Sequence, residues 1–252
     1  MAEDSTQPPH ATRFVETTRG ILSYAQLAPL LAERVLRVQQ DIEDGVFAHR
    51  PVDESLLLEF HRALCGDLTP DWAGRFRSTE VKVGQHSPPL PHQVPVLVRD
   101  YFSDLNVRLS GLTAANENLL PETLAFAEGR LLAIHPFTDF NGRATRLLLA
   151  EILRRNDLPP VELAPLTDSA RQNYIRASRA ADELNWTPLA KLCRNGLKTH
   201  DLAHRHDGSR PDQSLQPGRR DGIYPVEWIA PESRGAGAWR EEEMIAVMRK
   251  LF

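Results

Sequence analysis

Apolar residues recur at intervals of three and four through most of residues 23–203, a spacing that indicates amphipathic helices rather than strands. The first such stretch follows Ser23, a favourable helix N-cap, and ends before Gly45, where a glycine suits a helix C-terminus. Its apolar positions are Leu27, Leu30, Leu31, Val35, Leu36 and Val38. Helices of this kind bury one face against each other, so the pattern predicts a helical bundle.

The same spacing predicts further helices along the chain. They run over Asp53–Cys65, Val94–Leu109, Pro121–Ile134, from Asn141 to just before Pro159, and over about 168–184 and 187–203. One short interval differs, because Val81, Lys82 and Val83 alternate as a strand does and Gly84 then ends the alternation. A short hairpin near Glu80 to Val96 is the simplest interpretation. The predicted fold class is therefore all-α, or mostly α, with one short β-hairpin.

The two ends of the chain differ in composition from this helical part. Residues 1–20 are polar and contain two prolines, which predicts a flexible N-terminal arm. Residues 204–238 are rich in charged, glycine and proline residues and are expected to form an irregular linker. Residues 239–252 are amphipathic and are expected to form a last helix. Residues 21–203 are then the main domain.

Composition excludes several classes of protein. The net charge of −4 is unlike the basic surface that binding to nucleic acid requires. Two cysteines, Cys65 and Cys193, are too few for a disulfide framework and fit a reducing compartment. There is no apolar signal segment at the N-terminus and no stretch of about 18 apolar residues. We therefore expect a soluble protein that binds neither nucleic acid nor a membrane.

The most informative segment runs from His135 to Arg146 and reads HPFTDFNGRATR. An apolar helix ends, a short loop follows, and a second helix begins at Asn141, where free backbone N–H groups and the helix dipole favour an anion. Gly142 permits a close approach of the backbone. Arg143 and Arg146 point to the same side of the first turns, a pairing that suits a polyphosphate.

Two further residues of this segment have side chains suited to phosphate chemistry. Asp139 has the carboxylate that Mg²⁺ uses together with substrate phosphates. His135 has a side chain that accepts protons near neutral pH. A base, a metal carboxylate and a phosphate cradle within twelve residues indicate nucleotidyl or phosphoryl transfer.

The segment resembles the signature of the Fic family, HPFx[D/E]GNGRxxR, and departs from it at Phe140, where the family usually has glycine. Gly74–Arg77 is similar to the Gly-x-Phe-Arg element that precedes the family's hairpin flap. His61 lies in a segment like the family's upstream helix, and Tyr174–Leu192 looks like its closing helices. The resemblance covers roughly residues 25–200 and implies that 21–203 is a Fic domain.

The resemblance implies a protein adenylyltransferase that moves AMP from ATP onto a Ser, Thr or Tyr hydroxyl of a target protein. His135 would be the general base and Asp139 would bind Mg²⁺. The implied phosphate-binding residues are Phe140, Asn141, Gly142, Arg143 and Arg146, with Asn141 on the α-phosphate and Arg146 on the γ-phosphate. Phe137 would anchor the loop, and the flap residues Val81, Lys82 and Val83 would pair with an extended target segment.

Two positions carry specific expectations. A phenylalanine does not readily adopt positive φ, so Phe140 implies either a loop with ordinary φ or a differently seated nucleotide. Many Fic proteins are silenced by a helix glutamate that pairs with the second motif arginine. The segment around Glu43 resembles that inhibitory pattern imperfectly, and we hypothesise that Glu43 pairs with Arg146.

Other functions remain open at this point. The same site could transfer UMP, GMP, a phosphate or phosphocholine. Alternatively, Phe140 could block the pocket of a catalytically impaired helical module that binds a partner protein. The sequence leaves monomer and homodimer open. We expect the bacterial cytoplasm as the location, with export as an effector as the alternative.

Overall fold

The computed structural model describes residues 14–84, 86–112, 119–158 and 168–206. A hairpin of β1 (Phe14–Thr17) and β2 (Gly20–Ser23) leads into a series of α-helices. These are α1 (Tyr24–Glu43), α2 (Glu54–Cys65), α3 (Val94–Ser110), α4 (Leu119–Ile134), α5 (Asn141–Arg155), α6 (Asp168–Asp182) and α7 (Thr187–His206), with a short 3₁₀ turn at Pro91–Gln93 before α3. The predicted fold class, mostly α with one short hairpin, is confirmed.

Local capping sets the first two helix starts where the sequence predicts them. The Ser23 hydroxyl accepts a hydrogen bond from the Gln26 N–H, and the Gln26 side chain binds back to the Ser23 N–H. Asp53 caps α2 by accepting from the Leu56 N–H. After α1, Gly45 takes a φ of 75°, a left-handed conformation that favours glycine.

The hairpin lies elsewhere than predicted. β1 and β2 pair antiparallel from Phe14–Ser23 to Thr17–Gly20, and the Thr18 N–H in the turn donates to the Leu68 carbonyl. Residues 14–20 are therefore ordered strand and turn, which corrects the arm predicted through residue 20. Val81–Val83 form no strand. The described residues of this segment contain one isolated antiparallel bridge, between Val83 and His86. The rest of the arm, residues 207–238 and the predicted helix 239–252 lie outside the described residues.

The core is organised around α4 and α5. α4 packs against α3, α5, α6 and α7, whereas α5 packs against α1, α2 and α4. Gly129 permits the contact of α4 with α6 and α7, because a Cβ there would lie 2.7 Å from Ala181 Cβ and 2.9 Å from Leu189 Cδ1. The loop joining α4 to α5 is therefore held between two well-packed helices. Among the described helices, none carries an apolar stretch that would span a bilayer.

Candidate active site

The loop from His135 to Phe140 is bounded by two left-handed residues that are not glycine. His135 has a φ of 50° and Phe140 a φ of 58°. Each such conformation costs about 1–2 kcal/mol for an L-residue. The surrounding structure must hold both residues in place, and it does so by different means at the two ends of the loop.

At the Phe140 end the loop is held by aromatic packing. The Phe140 ring is 4% exposed, and its centroid lies 5.7 Å from that of Trp72 and 6.3 Å from that of Tyr24. The Phe140 N–H donates to Asp139 Oδ1 at 2.8 Å. The expectation of ordinary φ at this position is therefore wrong, because burial of the ring offsets the backbone cost. Phe140 takes the left-handed conformation that a glycine would adopt freely.

At the other end, His135 is held in one tautomer. Its Nδ1 lies 3.3 Å from the Leu132 carbonyl, which can accept but not donate, so Nδ1 carries the proton. No hydrogen bond involves Nε2 within the described residues, and that nitrogen keeps its lone pair. Burial, together with the nearby charge of Arg77, lowers the pKa of His135 to about 4. The imidazole is therefore neutral at pH 7, as a proton acceptor must be.

Asn141 braces the loop from inside. Its Oδ1 accepts from the Phe137 N–H at 2.8 Å and its Nδ2 donates to the Phe137 carbonyl at 2.9 Å. The residue is buried, and Phe137 is fully buried beneath the loop. Phe137 is thus placed as the predicted anchor, and the Asn141 amide has a loop-bracing role that the sequence did not indicate. Its contact with the α-phosphate stays a prediction.

The start of α5 concentrates positive charge. Its first turn contains no acidic residue, and Arg143 is buried there with its guanidinium carbon 5.7 Å from the centre of the Phe140 ring. Burial and repulsion by Arg146 lower the pKa of Arg143 to about 10. A Cβ on Gly142 would lie 3.4 Å from Arg146 Nη1, so the glycine leaves room beside that guanidinium. Two neighbouring cations at a helix N-terminus favour a polyanion.

Asp139 fits a metal that arrives with a nucleotide rather than a resident ion. The described residues contain no cluster of three or more His, Cys, Asp or Glu side chains that could hold a metal. Asp139 is a single buried carboxylate, and one of its oxygens accepts from the Phe140 N–H. One carboxylate with substrate phosphates is a usual arrangement for Mg²⁺. The donor set is therefore compatible with Mg²⁺ held jointly with phosphates.

His61 ties three separate segments together and was not predicted as a site residue. Its Nδ1 accepts from the Gly74 N–H at 2.9 Å, so its Nε2 carries the proton and donates to the Asp139 carbonyl at 3.1 Å. The ring stacks on Phe137 with centroids 3.7 Å apart. Asp139 is 78 residues away in sequence, so only the Leu-His-x-x-Leu resemblance could have pointed to His61.

The predicted flap lies beside a cavity of about 620 Å³. Val83 is 41% exposed and Lys82 is exposed, as pairing with a target segment would require. His86 Nε2 donates to the Ala133 carbonyl at 3.0 Å, and His86 Nδ1 lies 3.6 Å from Asp182 Oδ2 at the end of α6. Burial raises the pKa of Asp182. This contact connects the flap to α4 and α6.

Glu43 does not occupy the position expected of it. It is exposed at the C-terminal end of α1, and this end lies near Arg154 of α5. A Cβ on Gly45, two residues after Glu43, would be 3.8 Å from Arg154 Nη1. Arg154 is eight residues beyond Arg146 on α5, which corresponds to about 12 Å along a helix. Tyr24 at the start of α1 contacts Phe140 just before α5, so the two helices run in the same direction and the last turn of α1 is remote from Arg143 and Arg146. The described arrangement therefore does not support the hypothesis that Glu43 pairs with Arg146.

The fold and this loop define a class: a helical domain with two arginines at the start of one helix and a half-buried, neutral histidine before it. Residues 51–153 match the family model described as Fic/DOC family.

Curated relatives match part of the chain. The protein adenylyltransferase Fic of Culex quinquefasciatus is 35% identical over 126 residues, which are 50% of this chain and 24% of that protein. The protein adenylyltransferase fic-1 of Caenorhabditis elegans is 38% identical over 147 residues, or 57% of this chain and 27% of that protein. The chain thus spans about a quarter of the length of these relatives.

Solved structures share the fold. The N-terminal FIC domain of Bep8, a VirB-translocated effector of Bartonella sp. 1-1C, superimposes with a TM-score of 0.61 and 16% identity over 78% of this chain and 95% of that one. BepC of Bartonella tribocorum, solved with bound AMPPNP, gives a TM-score of 0.56 and 20% identity over 74% and 93% of the two chains.

Proposed function

We propose that this chain is a protein adenylyltransferase that transfers AMP from ATP to a Ser, Thr or Tyr hydroxyl of a target protein. The observation that carries the proposal is the placement of a neutral imidazole and a pair of arginines at the two ends of one short loop. His135 keeps the lone pair of Nε2, and Arg143 and Arg146 lie at the start of the helix that the loop enters. The proposed base and the proposed phosphate-binding arginines thus lie on adjoining elements.

In the proposed reaction, His135 Nε2 takes the proton of the target hydroxyl. The hydroxyl oxygen forms a bond to the α-phosphorus of ATP, and the bond from that phosphorus to the oxygen bridging to the β-phosphate breaks. Pyrophosphate leaves with the electron pair. Arg143 and Arg146 stabilise the charge that develops on the phosphates, and a base of this kind contributes about 10²–10⁴-fold.

Burial has two effects on the proposed base. A pKa near 4 keeps His135 unprotonated at pH 7, so the whole population can accept a proton. The same burial makes the imidazolium unfavourable, so the proton is given up readily after transfer. Mg²⁺ held by Asp139 and the phosphates would neutralise negative charge on the nucleotide.

The relatives support the choice of AMP and of a protein acceptor. The curated proteins are named protein adenylyltransferases, and BepC was solved with an ATP analogue. The exposed backbone of the Val81–Val83 flap would receive an extended target segment by edge pairing. Since the chain spans about a quarter of the curated relatives, its target and full activity are part of the proposal.

Label transfer tests the function. The protein is incubated with a lysate and Mg²⁺ plus ATP labelled at either the α- or the γ-phosphate, and we expect label on protein from α-³²P-ATP alone. Parallel reactions with the other nucleoside triphosphates and a phosphocholine donor identify the transferred group, whose mass on the target is then measured. Loss of label in His135→Ala, but not in the exposed His49→Ala, would support the assignment. Absence of both label and ATP binding by calorimetry would refute it.

A further inference from the structure

Arg77 is a buried cation at the base of the flap. It is 3% exposed, and no carboxylate forms a salt bridge with it among the described residues. An arginine is rarely buried without a paired anion, since its charge must be satisfied by other groups. Here the partners are backbone carbonyls from two different parts of the molecule.

One set of partners is the end of α4 and the start of the motif loop. Arg77 Nε donates to the His135 carbonyl at 2.8 Å, and Nη2 donates to the Ile134 carbonyl at 3.4 Å. The Arg77 backbone N–H also donates to the Pro136 carbonyl at 2.9 Å. These acceptors lie at the negative end of the α4 dipole, where a cation is favourable.

The other set of partners is the two ends of the flap. Arg77 Nη1 donates to the Thr79 carbonyl at 3.2 Å, and Nη2 donates to the Pro89 carbonyl. Thr79 and Pro89 enclose the Val83–His86 bridge. One planar guanidinium therefore closes the base of the flap and binds the backbone of His135 at the same time. A lysine could not do this, because its donors lie on a single atom.

We propose that Arg77 is a positioning residue that fixes the flap and the His135 turn as one unit, so that a target segment on the flap presents its hydroxyl to His135 Nε2. The catalytic part of this inference rests on the proposed function. The mechanical part does not, because it concerns two elements of the free protein. Arg77 acts through His135 and the flap and touches no reacting atom.

Three variants distinguish positioning from general support of the fold. Arg77→Met removes charge and donors, and Arg77→Lys keeps the charge but not the planar fork. Arg75→Met is the matched control, because Arg75 is exposed in the same segment and donates to the Asp71 carbonyl. The readouts are kcat and KM for ATP, and imidazole titration of His135 by NMR without nucleotide.

We expect kcat to fall by about 10²-fold in both Arg77 variants, the loss typical of about 1 Å of misplacement, with KM for ATP nearly unchanged. The His135 titration should move upward towards the ordinary histidine range in Arg77→Met, move less in Arg77→Lys, and stay in place in Arg75→Met. A folded Arg77→Met with wild-type titration and wild-type kcat would overturn the proposal.

Amide exchange keeps the inference testable if Arg77→Met does not fold. In Arg77→Lys, the amides of Val83 and His86, which form the flap bridge, should exchange faster than in wild type. Wild-type exchange together with wild-type kcat in that variant would also overturn the proposal. If no variant, wild type included, transfers AMP, the proposed function fails, whereas the titration and exchange measurements still decide whether Arg77 couples flap and loop.

Discussion

The imidazoles of His61, which is fully buried, and His135, which is half-buried, both have a lowered pKa but differ in their surroundings. Burial is the main reason that the pKa of each is lowered to about 4. His61 uses both nitrogens, accepting from Gly74 and donating to the carbonyl of Asp139. His135 uses Nδ1, and its Nε2 has no hydrogen bond within the described part of the chain. A lowered pKa therefore does not identify the base here, whereas the accounting of hydrogen bonds does.

The largest expected effect concerns the imidazole with the unused nitrogen. His135→Ala should lower AMP transfer by about 10²–10⁴-fold, because no other group takes the proton. The free energy of unfolding should change little, since the substitution also relieves burial of a polar ring. Transfer from α-³²P-ATP and urea denaturation measure the two quantities. A large loss of stability with transfer retained would reverse the roles given to the two histidines.

His61→Phe should show the opposite result. The substitution preserves stacking on Phe137 but leaves the Gly74 N–H and the Asp139 carbonyl buried without their partner. Each unsatisfied group costs about 1–3 kcal/mol. Denaturation should report this loss of stability, and any fall in transfer should follow the unfolded fraction. A fully stable variant would show that His61 does not brace the loop.

The pH dependence of the free energy of unfolding gives a further test of the role assigned to His61. The folded pKa of His61 is about 4, below the ordinary value of 6.5 for an unfolded chain, so the unfolded state binds the proton more tightly. The contribution of His61 to the free energy of unfolding is complete above about pH 6.5. It decreases by about 3 kcal/mol as the pH falls towards 4. The stability gap between wild type and His61→Phe should therefore narrow over that range. A constant gap between pH 7 and pH 4 would contradict the assigned shift.

A smaller effect is expected at the opposite end of the loop. Phe140→Gly removes the left-handed strain of about 1–2 kcal/mol but also the buried ring, whose truncation costs about 3–5 kcal/mol. The net loss of stability should be about 1–4 kcal/mol. Transfer should stay within a few-fold of wild type, because glycine adopts the same φ. Thermal unfolding and label transfer test this, and inactivity in a folded variant would show that the ring itself serves the site.

The smallest effect is expected for Glu43→Gly. Glu43 is exposed at the end of α1 and lies near the C-terminal end of α5, whereas Arg146 lies near the N-terminal end. Removing the Glu43 carboxylate should therefore leave auto-modification unchanged. Auto-modification with α-³²P-ATP is the measurement. A clear gain of activity would mean that α1 reaches the anion cradle in another arrangement of the chain.

Features set by neighbouring residues could be predicted from the sequence. Ser23 and Asp53 cap their helices through bonds to residues three positions on, and such contacts depend on local order alone. The motif residues from His135 to Arg146 share one loop and one helix start because they are adjacent in the chain. Resemblance to the Fic signature then indicated the family whose model residues 51–153 match.

Features set by distant residues could not be predicted. The Phe14–Ser23 hairpin depends on a bond from Thr18 to Leu68, and the brace at His61 depends on Gly74 and Asp139. The left-handed φ of Phe140 contradicts its intrinsic preference and is explained by its packing on Tyr24 and Trp72. The Glu43 hypothesis finds no support in the structure, because a local pattern does not say which end of α5 the last turn of α1 will meet.

The contact at Gly129 has a consequence for the width of the cavity beside the flap. Asp182 at the end of α6 forms part of one wall of that cavity, and the Tyr174 hydroxyl on the same helix donates to Glu128 on α4 at 2.6 Å. Because Gly129 lets α6 and α7 rest directly on the α4 backbone, a single methyl group there would push that wall outward. The width of that cavity thus depends on the missing side chain of Gly129, a residue that does not itself line the cavity.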